Sequence, residues 1–304
     1  MLGPLTPTQM RAIAFEFLGN LRLKGEVQSD KAFHKHFGSK PADVAAIWND
    51  LISTDVQTAK LCDKENSARG AKFFLMAHNF LWTYPKNREV LASRFGVCEK
   101  YAGGQNLWEW IKKIQALKAE KIVWFDELNS QQGPIFCITV DGVDCRMNEV
   151  KHPEKPVDKG YYSHKFNHCA AKYELGISIF HSKLVWINGP FRGGRHDISI
   201  FREEGLRDKI QPGKMVIADG GYRCLKYPQE ADMIAIPDSM DSEELYNFKI
   251  RAQQRHETFN GRIKNFRCLS DTFHHTFEKH KVAFEAVCVI VQYQMDNGAK
   301  LFAV

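Results

Sequence analysis

The feature that most constrains this chain is a change of period near residue 130. Up to about residue 125, apolar residues recur every three or four positions in six stretches: TPTQMRAIAFEFLGNL, SDKAFHKHFG, PADVAAIWNDLI, AKFFLMAHNFLWTY, NREVLASRFG and NLWEWIKKIQALKAEKI. That spacing predicts amphipathic helices, punctuated by Pro41, Pro85 and several glycines. From about 134 the runs shorten and become β-rich, as PIFCITVDGV, LGISIF, KLVWING, KMVIAD and MIAIP. A helix-like HDISIFREEGL falls between the third and fourth, and helical spacing returns after Pro237. The order β-β-β-α-β-β-α predicts an α/β fold, a mixed sheet flanked by helices and preceded by an all-helical domain. The polar stretch DELNSQQGP places the boundary at its start, with a helical domain over 1–126 and a sheet domain over 127–304.

Composition narrows the classes. Of the 304 residues 44% are hydrophobic, which argues for a folded chain rather than a disordered one. A formal charge of +6, from 42 Lys and Arg against 36 Asp and Glu, is compatible with a polyanionic partner without requiring one. The eight cysteines are scattered singly with no C-x-x-C pair, which points to a reducing compartment. No charged start followed by an apolar stretch opens the chain, and the most apolar late segment is broken by Glu285 and Gln292. Neither a signal peptide nor a membrane span is expected. In the helical half, REVLASRFGVCEKYAGGQNLWEWIKKI has a helix-turn-helix outline: a helix ending at Phe95, a turn through Gly96 and a second helix expected only after Gly103 and Gly104. Two core helices joined by a glycine turn would read the same way.

Two apolar runs finish in Asp-Gly, CITVDG at Asp141 and MVIADG at Asp219. They suggest strands that deliver carboxylates to one edge of a sheet, with glycine letting a backbone or ligand come close. Asp-Gly is also a common turn dipeptide. A third acid, Glu257, lies in EELYNFKIRAQQRHETFNGRIKNF among Arg251, Arg255, Arg262, Lys264 and Arg267, the composition of an ordinary solvated helix face. On a helical wheel it stands nearly opposite the stripe Phe248, Phe259, Ile263 and Phe266, so that stripe needs a covering other than the catalytic edge. The combination carries more than its parts: hard oxygen ligands from three elements suit Mg²⁺ or Mn²⁺, and basic side chains beside them suit a nucleic-acid backbone.

Five segments, VDGV, YYSHKFNHCAAKYELGISI, VWINGPFRGGRHDISIF, IADGGYR and RHETFNGRIKNF, occur in one order over roughly 135–270. Together they resemble the DDE superfamily endonuclease domain of PIF/Harbinger-type transposases, related to the bacterial IS5-like group. The resemblance implies an RNase H-like fold with Asp141, Asp219 and Glu257 as catalytic and metal-binding carboxylates holding two Mg²⁺ (or Mn²⁺) ions. It makes Asp197, in the recurrent His-Asp pair, an auxiliary site residue; an N-cap role for the following helix accounts for it equally well. Transposon-end DNA with terminal inverted repeats and target DNA would be the substrates. Nuclear action, assembly as a homo-oligomer and a Myb-like accessory protein belong to the same implication, and a host-adopted, catalytically silent DNA- or protein-binding derivative is the alternative. The chain departs from the family in reading ADGGY where GD.GY is usual and in placing His256, not an apolar residue, before the glutamate.

Lys165, Arg192, Arg195, Arg255, Arg262 and Lys264 are the candidate phosphate contacts. His164, His168 and Cys169 lie close enough to suggest zinc, but no second well-spaced pair supports it.

Overall fold

The computed structural model describes residues 3–19, 25–54, 67–149, 158–223 and 232–304. The chain divides into two compact units, one of Met1–Lys121, Lys264–Asp271 and Val282–Ala299, the other of Ile122–Ile263, Thr272–Lys281 and Lys300–Val304. This differs from a single cut at 126/127, because two late segments count with the helical unit. Residues 283–291 of the later segment are nearly all apolar and buried, as a helix enclosed on every side must be.

The helical unit contains α1 (Pro7–Phe17), α2 (Glu26–Phe37), α3 (Pro41–Thr54), α4 (Ser67–Thr83), α5 (Arg88–Phe95) and α6 (Gln105–Ala116). Thr6 and Gln9 form a capping box that starts α1. Trp48 of α3 stacks on Trp110 of α6, with centroids 6.0 Å apart, and meets Phe74 of α4 at 5.4 Å. These tryptophans are core residues. The helix-turn-helix outline differs from expectation in one respect. After Gly96, in the left-handed region at φ 57°, a short helix Glu99–Gly103 forms before the glycines, and Gly104 then serves as the N-cap of α6.

The second unit is built on a sheet of β1 (Phe136–Arg146), β2 (Tyr162–Ser163), β3 (His168–Ser178), β4 (Leu184–Arg192), β5 (Met215–Ile217) and β6 (Ile234–Ala235). β3 pairs antiparallel with both β1 and β4, whereas β5 runs parallel to β1 and β6 parallel to β5. Long antiparallel strands on one side of β1 and short parallel ones on the other make the order β4-β3-β1-β5-β6, the RNase H-like arrangement. Helix α7 (Asp197–Glu203) contributes Phe201 to a core with Val140, Val185, Val216 and Tyr222. Helix α8 (Glu243–Lys264) contributes Ala252 and Phe248 to a separate cluster with Ile179, Ile217 and Ala235. Each apolar face of the sheet is therefore covered by a helix, the condition for a stable α/β layer. The last long helix, α9 (Phe277–Asp296), spans the division between the units.

Two element boundaries differ from the sequence reading. β1 does not end at Asp141 but continues through Gly142 to Arg146, because β3 pairs with it along that whole length. β3 starts at His168, well before LGISIF, and carries Lys172 and Glu174 within a buried run. Among the described residues, no helix is long and apolar enough to cross a membrane.

Candidate active site

Strand register brings the two Asp-Gly aspartates together. β5 pairs with β1 only as far as Thr139 opposite Ile217. Two residues further along each parallel strand stand Asp141 and Asp219, at the same level and just beyond the end of β5. Adjacent parallel strands lie about 4.8 Å apart, and ligands gather beyond the carboxyl ends of such strands. Asp219 caps the single turn Gly220–Tyr222, where its Oδ1 accepts the Gly221 N–H at 2.8 Å. Asp141 Oδ1 accepts the Gly142 N–H at 2.8 Å.

The glycine after Asp141 is there for a close approach. A Cβ on Gly142 would overlap Asp197 Oδ1, and one on Gly221 would stand 3.3 Å from Asp197 Oδ2. Asp197 thus lies against both Gly142 and Gly221. It is the first residue of α7 rather than its cap, since His196 holds the N-cap position without a side-chain bond. Lys172 Nζ donates to Asp197 Oδ1 at 3.1 Å and stands 3.8 Å from Asp144. Ser163 Oγ donates to Asp144 in turn.

Crowded carboxylates raise one another's proton affinity. Burial, then the charge of Asp219, push the Asp141 carboxyl up to about 7; Asp197 adds to this, while the Gly142 N–H and Lys165 oppose it. Glu174 on β3, 1% exposed, is pushed up to about 8, first by burial and then by Asp197 and Glu204, against a 3.0 Å hydrogen bond from Trp186 Nε1. The Tyr222 hydroxyl, fully buried, is raised by burial and by the same four acids, Glu174, Asp197, Asp141 and Asp219.

Helix α8 presents one stripe to the aspartate strands. Gln253 Nε2 donates to the Ala218 carbonyl at 2.6 Å, His256 Nδ1 and Thr139 Oγ1 share a hydrogen bond at 2.8 Å, and Asn260 Nδ2 donates to Asp141 Oδ2 at 2.8 Å. Burial holds the His256 ring neutral, with its pKa lowered to about 3. Glu257 lies between Gln253 and Asn260 on adjacent turns of the same side, with its carboxylate exposed. The apolar stripe opposite is satisfied without the catalytic edge: Phe248 packs in the lower sheet cluster, and Phe259 and Ile263 are fully buried. Phe266 belongs to the helical unit and meets Trp82 there.

The candidate phosphate contacts separate. Lys165 is exposed and its charge bears on Asp141. Arg192 is exposed and paired with Asp158 at 2.8 Å; Arg195 is paired with Glu203 and Glu204. Arg255 corrects the expectation: it is 2% exposed, and its guanidinium donates to the carbonyls of Phe302, Ser178 and His181. Buried and anchored to three carbonyls, this guanidinium is not presented to DNA. Arg262 donates to the Lys300 carbonyl, and Lys264 falls in the helical unit. His164 stacks on His196 rather than joining His168 and Cys169, and Cys169 is buried. Among the described residues, no group of three or more His, Cys, Asp or Glu stands ready to hold a metal ion. The donor chemistry nevertheless fits a hard cation: Asp141 and Asp219 offer oxygens at one level, and burial followed by the charge of Asp219 raises the proton affinity of Asp141.

Sequence reasoning missed Gln253, Asn260, Lys172 and Glu174. For the last two a signal existed, two charged residues at alternate positions in the otherwise apolar CAAKYELGIS. For the amides there was none, since only the register between helix and strands selects them.

An RNase H-like sheet with two carboxylates at one level, Asp141 within β1 and Asp219 just beyond β5, defines the class of fold and site. Within that class, the model of the DDE superfamily endonuclease family matches residues 141–292, half of the chain, and the chain belongs to this family. No curated protein matches the chain. Among solved structures, the Mos1 transposase paired-end complex with left transposon end is similar at 9% identity over 98% of this chain and 100% of that one, with a TM-score of 0.22, a superposition too loose to bear on the site.

Proposed function

We propose that this chain is a PIF/Harbinger-type transposase that cuts and joins DNA phosphodiesters at transposon ends, with Asp141, Asp219 and Glu257 as its catalytic carboxylates. The observation that carries the reading is the level pairing of Asp141 with Asp219, beside a helix whose Gln253 and Asn260 are bonded to the same two strands on either side of Glu257. The family match adds the endonuclease class. Two Mg²⁺ or Mn²⁺ ions held by these acids would supply an activated water or DNA 3′-hydroxyl and stabilise the leaving oxygen.

The chain's own residues do the rest. Gly142 N–H and Asn260 hold the Asp141 carboxylate, Gly221 N–H holds Asp219, and Lys172 holds the Asp197 carboxylate beside Gly142 and Gly221. Lys165 and Arg192, both exposed, would meet a phosphodiester backbone. The helical unit, with its Gly96 turn between α5 and the following short helix, would read the inverted repeats, and the enzyme would work as a homo-oligomer in the nucleus with a Myb-like accessory protein. A silent, host-adopted binding protein is the second reading. It is favoured by one observation: among the described residues, the acids do not stand in an ion-holding group.

The test is cleavage of a labelled duplex carrying the flanking terminal repeats, in Mg²⁺, by wild type beside Asp141→Ala, Asp219→Ala and Glu257→Ala. Cutting by wild type alone supports the triad. Specific binding with no cutting by any of them supports the silent derivative.

A further inference from the structure

Both oxygens of Asp141 are held, one by its neighbour's backbone and one by a side chain from α8. Gly142 N–H binds Oδ1 and Asn260 Nδ2 binds Oδ2, each at 2.8 Å, so the carboxylate cannot turn without losing a bond. Asn260 does this at its own expense. Its Oδ1 is buried and has no hydrogen-bond partner, and a buried acceptor left unpaired is destabilising. Leucine, branched at the same carbon though larger, would carry no unpaired acceptor there, so helix stability alone does not explain an amide. The same helix reaches the second aspartate strand through Gln253, bonded at 2.6 Å to the carbonyl of Ala218, the residue before Asp219. Glu257 stands between these two bonded residues.

We propose that Asn260 is a positioning residue of the active site: its amide N–H fixes the orientation of the Asp141 carboxylate and, by that bond, holds the turn bearing Glu257 in register with β1. The inference rests on the reading of Asp141 as a site carboxylate. Groups that hydrogen-bond to a metal-binding carboxylate orient it, and their removal costs about 10–100-fold in metal affinity or activity.

The experiment compares Asn260→Leu, Asn260→Asp and Asp141→Asn with wild type, in the full chain, by thermal melting, by Mn²⁺ binding from the paramagnetic resonance of the free ion, and by Mg²⁺-dependent cleavage. Asn260→Leu is expected to melt at or above the wild-type temperature, bind Mn²⁺ about 10-fold more weakly and cut about 10–100-fold more slowly, with DNA affinity unchanged. Asn260→Asp keeps the shape but loses the donor and sets a like charge against Asp141, so it cuts more slowly still. A structural role predicts the reverse: a lower melting temperature for Leu, a mild effect for Asp, and Mn²⁺ affinity and cleavage as in wild type. That result overturns the proposal. Should Asn260→Leu not fold, Asn260→Asp carries the comparison, and in a chain that does not cut the Mn²⁺ measurement decides. Asp141→Asn separates the two levels: if it is inactive and Mn²⁺-deficient while Asn260→Leu behaves as wild type, only this inference fails. If Asp141→Asn itself binds Mn²⁺ and cuts as wild type, the reading of the site fails and this inference with it.

Discussion

Two acids, buried Glu285 in the first unit and half-buried Asp141 in the second, show how differently this chain treats negative charge. Glu285, 3% exposed in an apolar helix of the first unit, is answered fully: Lys118 Nζ lies 2.7 Å from one oxygen and Gln115 Nε2 2.5 Å from the other. Asp141 in the second unit has two N–H donors, and the charges that bear on it most are other acids, Asp219 and Asp197, ahead of Lys165. Burying a charge is tolerated when it is paired. Glu285 is a structural ion pair, whereas Asp141 sits among like charges. The contrast teaches that an acid in an apolar run becomes a site candidate by what the fold withholds from it.

The comparison breaks first at catalysis. Asp219→Asn should lower Mg²⁺-dependent cleavage by about 10³-fold, roughly 4 kcal/mol of barrier, and leave DNA affinity and the melting temperature nearly unchanged. Single-turnover cleavage with a parallel binding titration checks it, and undiminished cutting would remove Asp219 from the site. The opposite pattern is expected at the other acid. Lys118→Met leaves Glu285 buried without its cation and should destabilise the protein by about 2–3 kcal/mol, below the ~3–5 kcal/mol of a fully buried pair because Lys118 is partly exposed. Denaturant unfolding measures it, with cleavage per folded molecule preserved.

A smaller effect appears with pH. Because the folded-state pKa of Asp141 is raised to about 7 from an ordinary value near 4, its contribution to stability is fully present below about pH 4 and is lost as pH rises towards 7. Metal-free protein should therefore lose stability across that window. Asp141→Asn should flatten the decline, and a decline unchanged in the variant would deny Asp141 its raised affinity for protons. The smallest effect separates the basic residues. Lys165→Ala should reduce the salt slope of DNA binding by about one. Arg255→Ala should leave that slope unchanged while lowering the melting temperature, since its guanidinium ties the segment after Ala299 to the β3–β4 turn through three carbonyls.

Much of the fold could be read from local pattern. The stretches spaced at three and four became α1 to α6, the β-rich runs became the sheet, and Asp141 with Asp219 met at one sheet edge as the repeated Asp-Gly suggested. Periodicity and turn chemistry act over a few residues, so a sequence displays them directly. What remained hidden depends on groups distant in the chain. Whether an arginine of α8 faces solvent or the carbonyls of Ser178 and His181, and whether Gly142 serves a turn or makes room for Asp197, follow from the register in which helices settle on the sheet.

By itself, then, the sequence determined the elements, their order and the acids available to a site, because backbone preference and apolar spacing are properties of short segments. Only the tertiary structure decided which acids share a field, which cations are already spent and that Asn260 reaches Asp141, because pairing energies and burial are settled between segments far apart in the chain.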